Sequence, residues 1–300
     1  MTPFIEAATV LIEWEFHVDT VRDLNMLRES VAAFRAAGQR VALVPTMGAL
    51  HAGHVALIEA AKRPGTKVVA SIFVNPTQFG PNEDLSRYPR REMADIRMLN
   101  EAGCDLLWLP SVETMYPDGF ATSVRVSGVS DGFDGASRPV HFDGVATVVS
   151  KLFNQVGPDA AYFGEKDYQQ LAVVRRFVAD LDFAIDIVGV PTQRDDDGLA
   201  MSSRNIYLDD EQRKQAVALP RALGVAARAI AKGEDVESVL DDARTALVGA
   251  GFTIDYVALA DAETLAEKPA VGRPWRLLAA ARMGATRLID NIAIDAPDAL

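Results

Sequence analysis

Between Thr20 and Pro191 the chain alternates short apolar runs with longer stretches of helical period, and this alternation restricts the fold more than any other feature. The apolar runs are Val41–Val44, Val68–Val74, Leu106–Leu109, Ala160–Phe163 and Ile185–Val190. Runs this short that do not alternate with polar residues suit strands buried on both faces. Between them lie amphipathic helices. Val145, Val148, Val149, Leu152, Phe153 and Val156 follow the i, i+3, i+4, i+7, i+8, i+11 stripe, and after Asp167 a second stripe holds Leu171, Val174, Val178 and Leu181. Strands separated by helices predict a mostly parallel, doubly wound α/β sheet.

The pattern changes after Pro191. An acidic loop, Asp195-Asp196-Asp197-Gly198, precedes two helical stretches over 210–232 and 236–249, then strand-like runs at 253–259, 275–281 and 287–294. The expected organisation is a Rossmann-like unit over residues 1–192 and a smaller C-terminal α+β domain over 193–300 that closes over it. No repeat or low-complexity segment is present, and residues 1–19 carry no readable function.

Bulk properties remove several classes. With 49% hydrophobic and 24% charged residues the chain reads as globular. No apolar run approaches the ~18 residues of a membrane span, and the acidic N-terminal stretch does not resemble a secretory signal. A net charge of −12 argues against nucleic acid as a partner. The single cysteine, Cys104, excludes an internal disulfide and fits a reducing cytoplasm; in an apolar stretch it is expected to be buried and inert. An acidic protein that binds a polyphosphate must meet it with local cations, so lysines and arginines in glycine-bearing loops carry the most information.

Three such loops stand out. Pro45-Thr46-Met47-Gly48-Ala49-Leu50-His51-Ala52-Gly53-His54 follows the strand 41–44 and leads into a helix expected over 55–63. A strand, a glycine turn and a helix N-terminus form the usual nucleotide site of open α/β sheets. Two imidazoles three residues apart project to one side and can stabilise departing pyrophosphate. A zinc site is the competing reading; the chain has only four histidines and one cysteine and lacks an HExxH pattern. Gly164-Glu165-Lys166-Asp167 repeats the strand–turn–helix placement, with Lys166 as a cation for phosphate and Asp167 as a ribose ligand or helix cap. Met201-Ser202-Ser203-Arg204 offers two hydroxyls and a guanidinium on a loop able to close. Lys166 and Arg204 outrank the helix ends: a charge pair at ~4 Å gives about 4 kcal/mol gross at an effective dielectric near 20, against ~0.3–1 kcal/mol for a helix dipole.

A fourth turn, Phe73-Val74-Asn75-Pro76-Thr77-Gln78-Phe79, supplies Asn75 and Gln78 as uncharged partners for a small organic acid, with Gln170 on the helix after Lys166 able to join them. Arg138-Pro139-Val140-His141-Phe142 adds a guanidinium and an imidazole. Asp95 has two readings, a carboxylate near Mg²⁺ or a solvated helix residue; the second is preferred.

These segments, with Ala281–Ile292, resemble the pantothenate synthetase (pantoate–β-alanine ligase) family in consistent order over about residues 20 to 292. The family falls in the nucleotidyltransferase superfamily with HIGH-type motifs; His51-Ala52-Gly53-His54 stands for that motif and Met201–Arg204 stands where related synthetases carry a KMSKS loop. The resemblance implies ATP-dependent condensation of (R)-pantoate with β-alanine through a pantoyl adenylate, with AMP and pyrophosphate released, Mg²⁺ accompanying ATP, and a homodimer. It places Met47 to His54, Gly164 to Asp167 and Met201 to Arg204 around ATP and makes His54 the proton donor. Catalytic roles then fall to His51, His54, Lys166, Ser202, Ser203 and Arg204. Gln78, Gln170 and Asn75 would hold pantoate, and Gln78 would also lie beside β-alanine. Gln193 stands where a small apolar residue against adenine is expected. Three rivals remain. One is a superfamily member that stops after nucleotidyl transfer; the second is a dinucleotide-dependent dehydrogenase, which would need a Gly-x-Gly-x-x-Gly turn that residues 48–53 do not supply. The third is a non-catalytic binding protein that has kept the fold, against which the intact ligand set speaks.

Overall fold

Each expected strand of the first unit is present, and side-chain alternation explains why the inner run Val41–Val44 lacks polar positions. In β2 (Arg40–Thr46), Val41 and Leu43 enter one core while Ala42 and Val44 enter another on the opposite face. The structure, a computed structural model, describes residues 18–81, 83–267 and 272–294; His17 and the remaining N-terminal positions lie outside them. The elements in order are β1 (Asp19–Val21), α1 (Leu24–Ala36), β2, α2 (Ala52–Ala61), β3 (Thr66–Ile72), α3 (Glu92–Ala102), β4 (Leu106–Trp108), α4 (Val112–Met115), α5 (Phe133–Ser137), α6 (His141–Val156), β5 (Ala160–Gly164), α7 (Tyr168–Asp180) and β6 (Asp186–Val190). All pairings are parallel, in the order β1-β4-β3-β2-β5-β6. Strand β1, not expected from the sequence, is a three-residue edge with one buried side chain, too short to show a period.

Leu27, Phe153, Val173 and Phe177, from α1, α6 and α7, pack on one face of this sheet; Leu57, Ile58 and Leu99, from α2 and α3, pack on the other. The stripe read from the sequence is the buried face of α6, where Val145, Val149, Leu152, Phe153 and Val156 are nearly inaccessible.

The C-terminal part follows as α8 (Asp210–Ala216), α9 (Ala218–Ala231), α10 (Val236–Gly249), β7 (Phe252–Asp261), β8 (Trp275–Met283) and β9 (Thr286–Ile294), the strands forming an antiparallel meander. The single helix expected over 210–232 is divided at Val217, three residues before Pro220; proline lacks the N–H that a continuous ladder needs. One face of the meander packs on α9 and α10 through Val257, Leu259, Leu277 and Ala279. The alternate residues Ala260 and Leu278 join the core of the first unit, which fixes the second sheet against the first.

Candidate active site

The parallel sheet reverses direction between β2 and β5. From β2 the chain steps outward through β3 to β4, whereas β5 lies on the other side of β2 and leads to β6. Loops leaving β2 and β5 therefore diverge, which opens a crevice at the strands' carboxyl ends. His51 and His54 come from one side of it, and Gly164, Lys166 and Asp167 from the other.

The first loop is held from beneath. Gly48 (φ +80°) and Ala49 (φ +51°) are both left-handed, and the Asp95 carboxylate accepts the Ala49 and Leu50 N–H groups at 2.9 and 2.8 Å. Asp95 is 3% exposed. It is therefore neither of the things its sequence suggested: burial excludes the solvated reading, and its two oxygens are occupied by backbone amides instead of facing a metal. The same bonds take up the Ala49 and Leu50 amides, which are thus not free to donate to phosphate.

Helix α2 starts at Ala52, three residues before the expected Val55, because the histidines cap it. His51 is the N-cap, its Nδ1 accepting the Gly53 N–H at 3.1 Å, and His54 Nδ1 accepts the His51 N–H at 3.3 Å. The ring centroids are 4.2 Å apart. With Nδ1 an acceptor in both rings, the proton of each neutral imidazole sits on Nε2. Burial, reinforced by Lys166, lowers the His51 pKa to about 4. Burial, then His51 and Lys166, lowers that of His54 to about 3. A protonated His54 acting as acid does not fit this environment; both rings are neutral Nε2–H hydrogen-bond donors near pH 7.

Two contiguous cavities fill the crevice. The smaller, about 200 Å³, is lined by Met47, His51, Gly53 and His54 on one wall and by Gly164, Lys166 and Asp167 on the opposite one. Gln78 and Gln170 lie along it, and Gln193 with Met201, Ser202, Ser203 and Arg204 closes the third side. The larger, about 640 Å³, shares Lys166, Asp167, Gln170, Ser202 and Arg204 with it and extends toward Arg138, Arg282 and Arg287. The three loops proposed from sequence thus meet around one space. Asp167 precedes α7 without a side-chain capping bond, and its carboxylate is half exposed, 3.9 Å from Lys166 Nζ.

The closing loop is ordered by the segment that follows Gly80. Arg204 donates Nε and Nη2 to Asp84 at 3.1 and 3.0 Å, and Ser203 Oγ lies 3.2 Å from the Tyr88 hydroxyl. Glu83, the neighbouring residue, receives a bidentate pair from Arg138 at 2.7 Å for each bond. Sequence reading assigned no role to Glu83 or Asp84, since two acids in a Gly-Pro-led turn look like ordinary solvated residues.

The acid pocket is built around Gln78. Its Nε2 reaches Met47 Sδ at 3.0 Å, and its Oε1 accepts from Asn75 Nδ2 at 3.1 Å. Asn75 is 1% exposed and fully engaged: it donates to Gly144 O and accepts from Thr77 and the Tyr116 hydroxyl. It lines neither cavity, so Asn75 supports the pocket from behind while Gln78 and Gln170 face it. Helix α6 can approach because Gly144 lacks a side chain; a Cβ there would lie 2.5 Å from Thr77 O. His141, with its pKa lowered to about 4 chiefly by burial, bridges Gln78 O through Nδ1 at 2.8 Å and Arg138 through Nε2 at 2.9 Å. Glu165 is turned away from the cavities toward Arg276, at 3.1 Å. Ala52, the first residue of α2, also stays outside them. Among the described residues no group of three or more His, Cys, Asp and Glu could hold a metal ion.

Comparison with known proteins decides the family. The family model described as pantoate-beta-alanine ligase matches residues 19–293. The chain belongs to this family. Pantothenate synthetases of Rhizorhabdus wittichii and Sphingopyxis alaskensis are 64% and 58% identical to it, over 92% and 91% of this chain and 98% and 99% of theirs. The solved pantothenate synthetase of Thermus thermophilus superposes with a TM-score of 0.83 at 50% identity, covering 92% of this chain and 99% of that one. The pantoate-beta-alanine ligase of Francisella tularensis, solved with beta-gamma ATP and beta-alanine, has a TM-score of 0.76 at 33% identity, covering 92% and 97%. Members of the pantoate–β-alanine ligase family at these identities span nearly the whole of both chains, so the C-terminal meander is part of the shared architecture.

Proposed function

We propose that the crevice between β2 and β5 carries out ATP-dependent condensation of (R)-pantoate with β-alanine through a pantoyl adenylate. The pantoate carboxylate attacks the α-phosphorus of ATP, the bond to the bridging oxygen breaks, and pyrophosphate leaves. The β-alanine amine then attacks the acyl carbon, AMP departs with the electron pair of the anhydride C–O bond, and the amine's proton passes to solvent. Neither step calls for a nucleophile from the protein. What matters is alignment and neutralisation of charge spreading over phosphate oxygens.

The observation that carries this reading is the convergence of His51, His54, Lys166 and Arg204 on one cavity. Lys166 and Arg204 supply fixed positive charge, and the two Nε2–H groups donate to phosphoryl oxygens. As Nε2–H donors the neutral imidazoles can stabilise the transition state through hydrogen bonds. Ser202 and Ser203 add hydroxyls, Gly164 leaves the strand end open beside the nucleotide, and Gln193 borders the adenine end. Gln78 and Gln170 hold pantoate, with Gln78 also next to the incoming amine. Mg²⁺ would enter with the ATP phosphates; it keeps several waters and takes few protein carboxylates, and half-exposed Asp167 on the cavity wall would fit that donor set. Bound magnesium would neutralise phosphate charge. A cytoplasmic setting agrees with one buried, unpaired cysteine, and a homodimer rests on the family resemblance alone, open to sedimentation analysis.

Pantoate-dependent exchange between ATP and labelled pyrophosphate, in the absence of β-alanine, tests the mechanism. Exchange is expected, and His54→Ala should lower it by about 10²- to 10³-fold, the usual loss for one transition-state donor. Exchange that needs β-alanine, or that ignores pantoate, refutes the adenylate route.

A further inference from the structure

The run Leu288-Ile289-Asp290-Asn291-Ile292 belongs to the segment that resembles the family. It lies in β9, outside the Rossmann-like unit, and both polar residues are buried: Asp290 is 2% and Asn291 4% exposed. Consecutive residues of a strand face opposite sides of a sheet. Asn291 pairs in register with Leu278, whose side chain enters the core of the first unit, and Asp290 pairs with Ala279 of the other core.

Each residue grips a different loop of the crevice. Asn291 Nδ2 donates to the carbonyls of Glu165 and Lys166, both at 2.9 Å. Its Oδ1 accepts from Arg276 Nε at 2.6 Å; Arg276 reaches Glu165 Oε2 at 3.1 Å and stacks on Tyr168, 4.0 Å from the ring centroid. Every polar atom of this amide is thus used, with its orientation set by Arg276. Asp290 accepts both terminal nitrogens of Arg194, at 2.7 and 2.8 Å, and Arg194 Nη1 also donates to Gly198 O at 3.0 Å. Arg194 and Ala200 form a bridge, and Met201 N donates to Gln193 O at 2.9 Å, so this hairpin leads directly into Ser202–Arg204.

We propose that Asp290 and Asn291 are positioning residues that set the separation of the Lys166 loop from the Ser202–Arg204 loop, with Asn291 acting on catalysis through Lys166. The inference rests on the reading of Lys166 as a phosphate ligand. A displacement of the Lys166 backbone moves its ammonium relative to the departing pyrophosphate, and such offsets weaken alignment steeply. Adenylation must neutralise the departing pyrophosphate with that cation; aminolysis of a preformed adenylate, in which pyrophosphate has gone and only the single phosphate of AMP leaves, draws on it far less.

Asn291→Asp separates positioning from general support. It preserves shape and keeps an acceptor for Arg276, while both N–H donors are lost and a carboxylate faces two carbonyl oxygens. Pantoate-dependent ATP–pyrophosphate exchange is expected to fall about 10- to 100-fold in kcat/KM, with turnover of supplied pantoyl adenylate and β-alanine changed by less than about 3-fold. Asn291→Ala should show the same bias, which covers a failure of the Asp variant to fold; Asp290→Asn, with a weaker hold on Arg194, should reproduce it more mildly. In a Lys166→Ala background the Asn291→Asp effect should disappear. Equal loss in both half-reactions, or an undiminished effect in the Lys166→Ala background, overturns the proposal and leaves Asn291 a packing residue. If Lys166→Ala alone leaves exchange intact, the phosphate role of Lys166 is wrong, and the positioning role falls with it for that separate reason.

Discussion

Replacing Asp95 by alanine should destabilise the protein severely, although the residue touches no substrate in the proposed site. Its carboxylate accepts two buried amides, from Ala49 and Leu50, in a turn where Gly48 and Ala49 both have positive φ. Hydrogen bonds to charged groups contribute about 1.5–3 kcal/mol each, and a buried donor left without a partner costs about 1–3 kcal/mol. Two such donors give an expected loss of about 3–5 kcal/mol for Asp95→Ala. Asp95→Asn, which keeps one acceptor oxygen, should lose about half of that. Against a typical total of about 5–15 kcal/mol the larger loss is easy to see. Urea unfolding should show a lower midpoint at an unchanged m-value, and ATP–pyrophosphate exchange should fall as the histidine turn loosens. A shift below about 0.5 kcal/mol, the range of ordinary surface substitutions, refutes the bracing role. If the exchange assay instead showed a changed Mg²⁺ requirement at unaltered stability, the carboxylate would be serving a metal.

Three further outcomes follow from buried groups. Gly144→Ala should push α6 off the Asn75–Gln78 turn, since its Cβ would meet backbone atoms at 2.5–2.8 Å; a KM for pantoate raised at least about 10-fold, or a loss of about 1–3 kcal/mol in unfolding free energy, is expected, and a neutral variant contradicts the contact. His51, His54 and His141 all have pKa values held below the ordinary 6.5, at about 4, 3 and 4. Between pH 6.5 and those values the unfolded chain binds more protons than the folded one, so their contribution is complete above pH 6.5 and is lost as pH falls toward about 3 to 4; a melting temperature flat across that interval argues against buried neutral rings. Burial pushes the Cys104 thiol up to about 12, so a thiol-specific disulfide reagent should label it only after denaturation, and rapid labelling of native protein would exclude the buried position.

Patterns with a period were legible in the sequence. Strands β2 to β6 and the α6 stripe followed from runs of apolar residues, because an inner strand covered on both faces leaves little room for polar alternation, whereas the edge β1 was too short to show a pattern. The convergence of residues 47–54, 164–167 and 201–204 was legible too, since each pairs a strand end or glycine with a chemically distinctive side chain. Contacts between distant segments were not. Asp95 reads as an ordinary acid on a helix until the fold brings it beneath the Gly48 turn. Asn75 looks like a ligand because its amide could serve one, yet Gly144 and Tyr116, 69 and 41 residues away, consume that amide. His54 reads as an acid until burial beside Lys166 keeps its ring neutral. The break at Val217 was foreshadowed by Pro220, which a purely apolar stripe conceals.

The Arg204–Asp84 pair bears on which anions can occupy the crevice. A newcomer does not meet a bare guanidinium; it must share the group with a carboxylate that already holds Nε and Nη2, or displace it. A singly charged ion offers little advantage in that exchange, whereas a chain of phosphates brings several negative centres and keeps its hold when one contact opens. The internal counter-ion thus grades ligands by valence, and free acetate or inorganic phosphate should be poor inhibitors beside pyrophosphate.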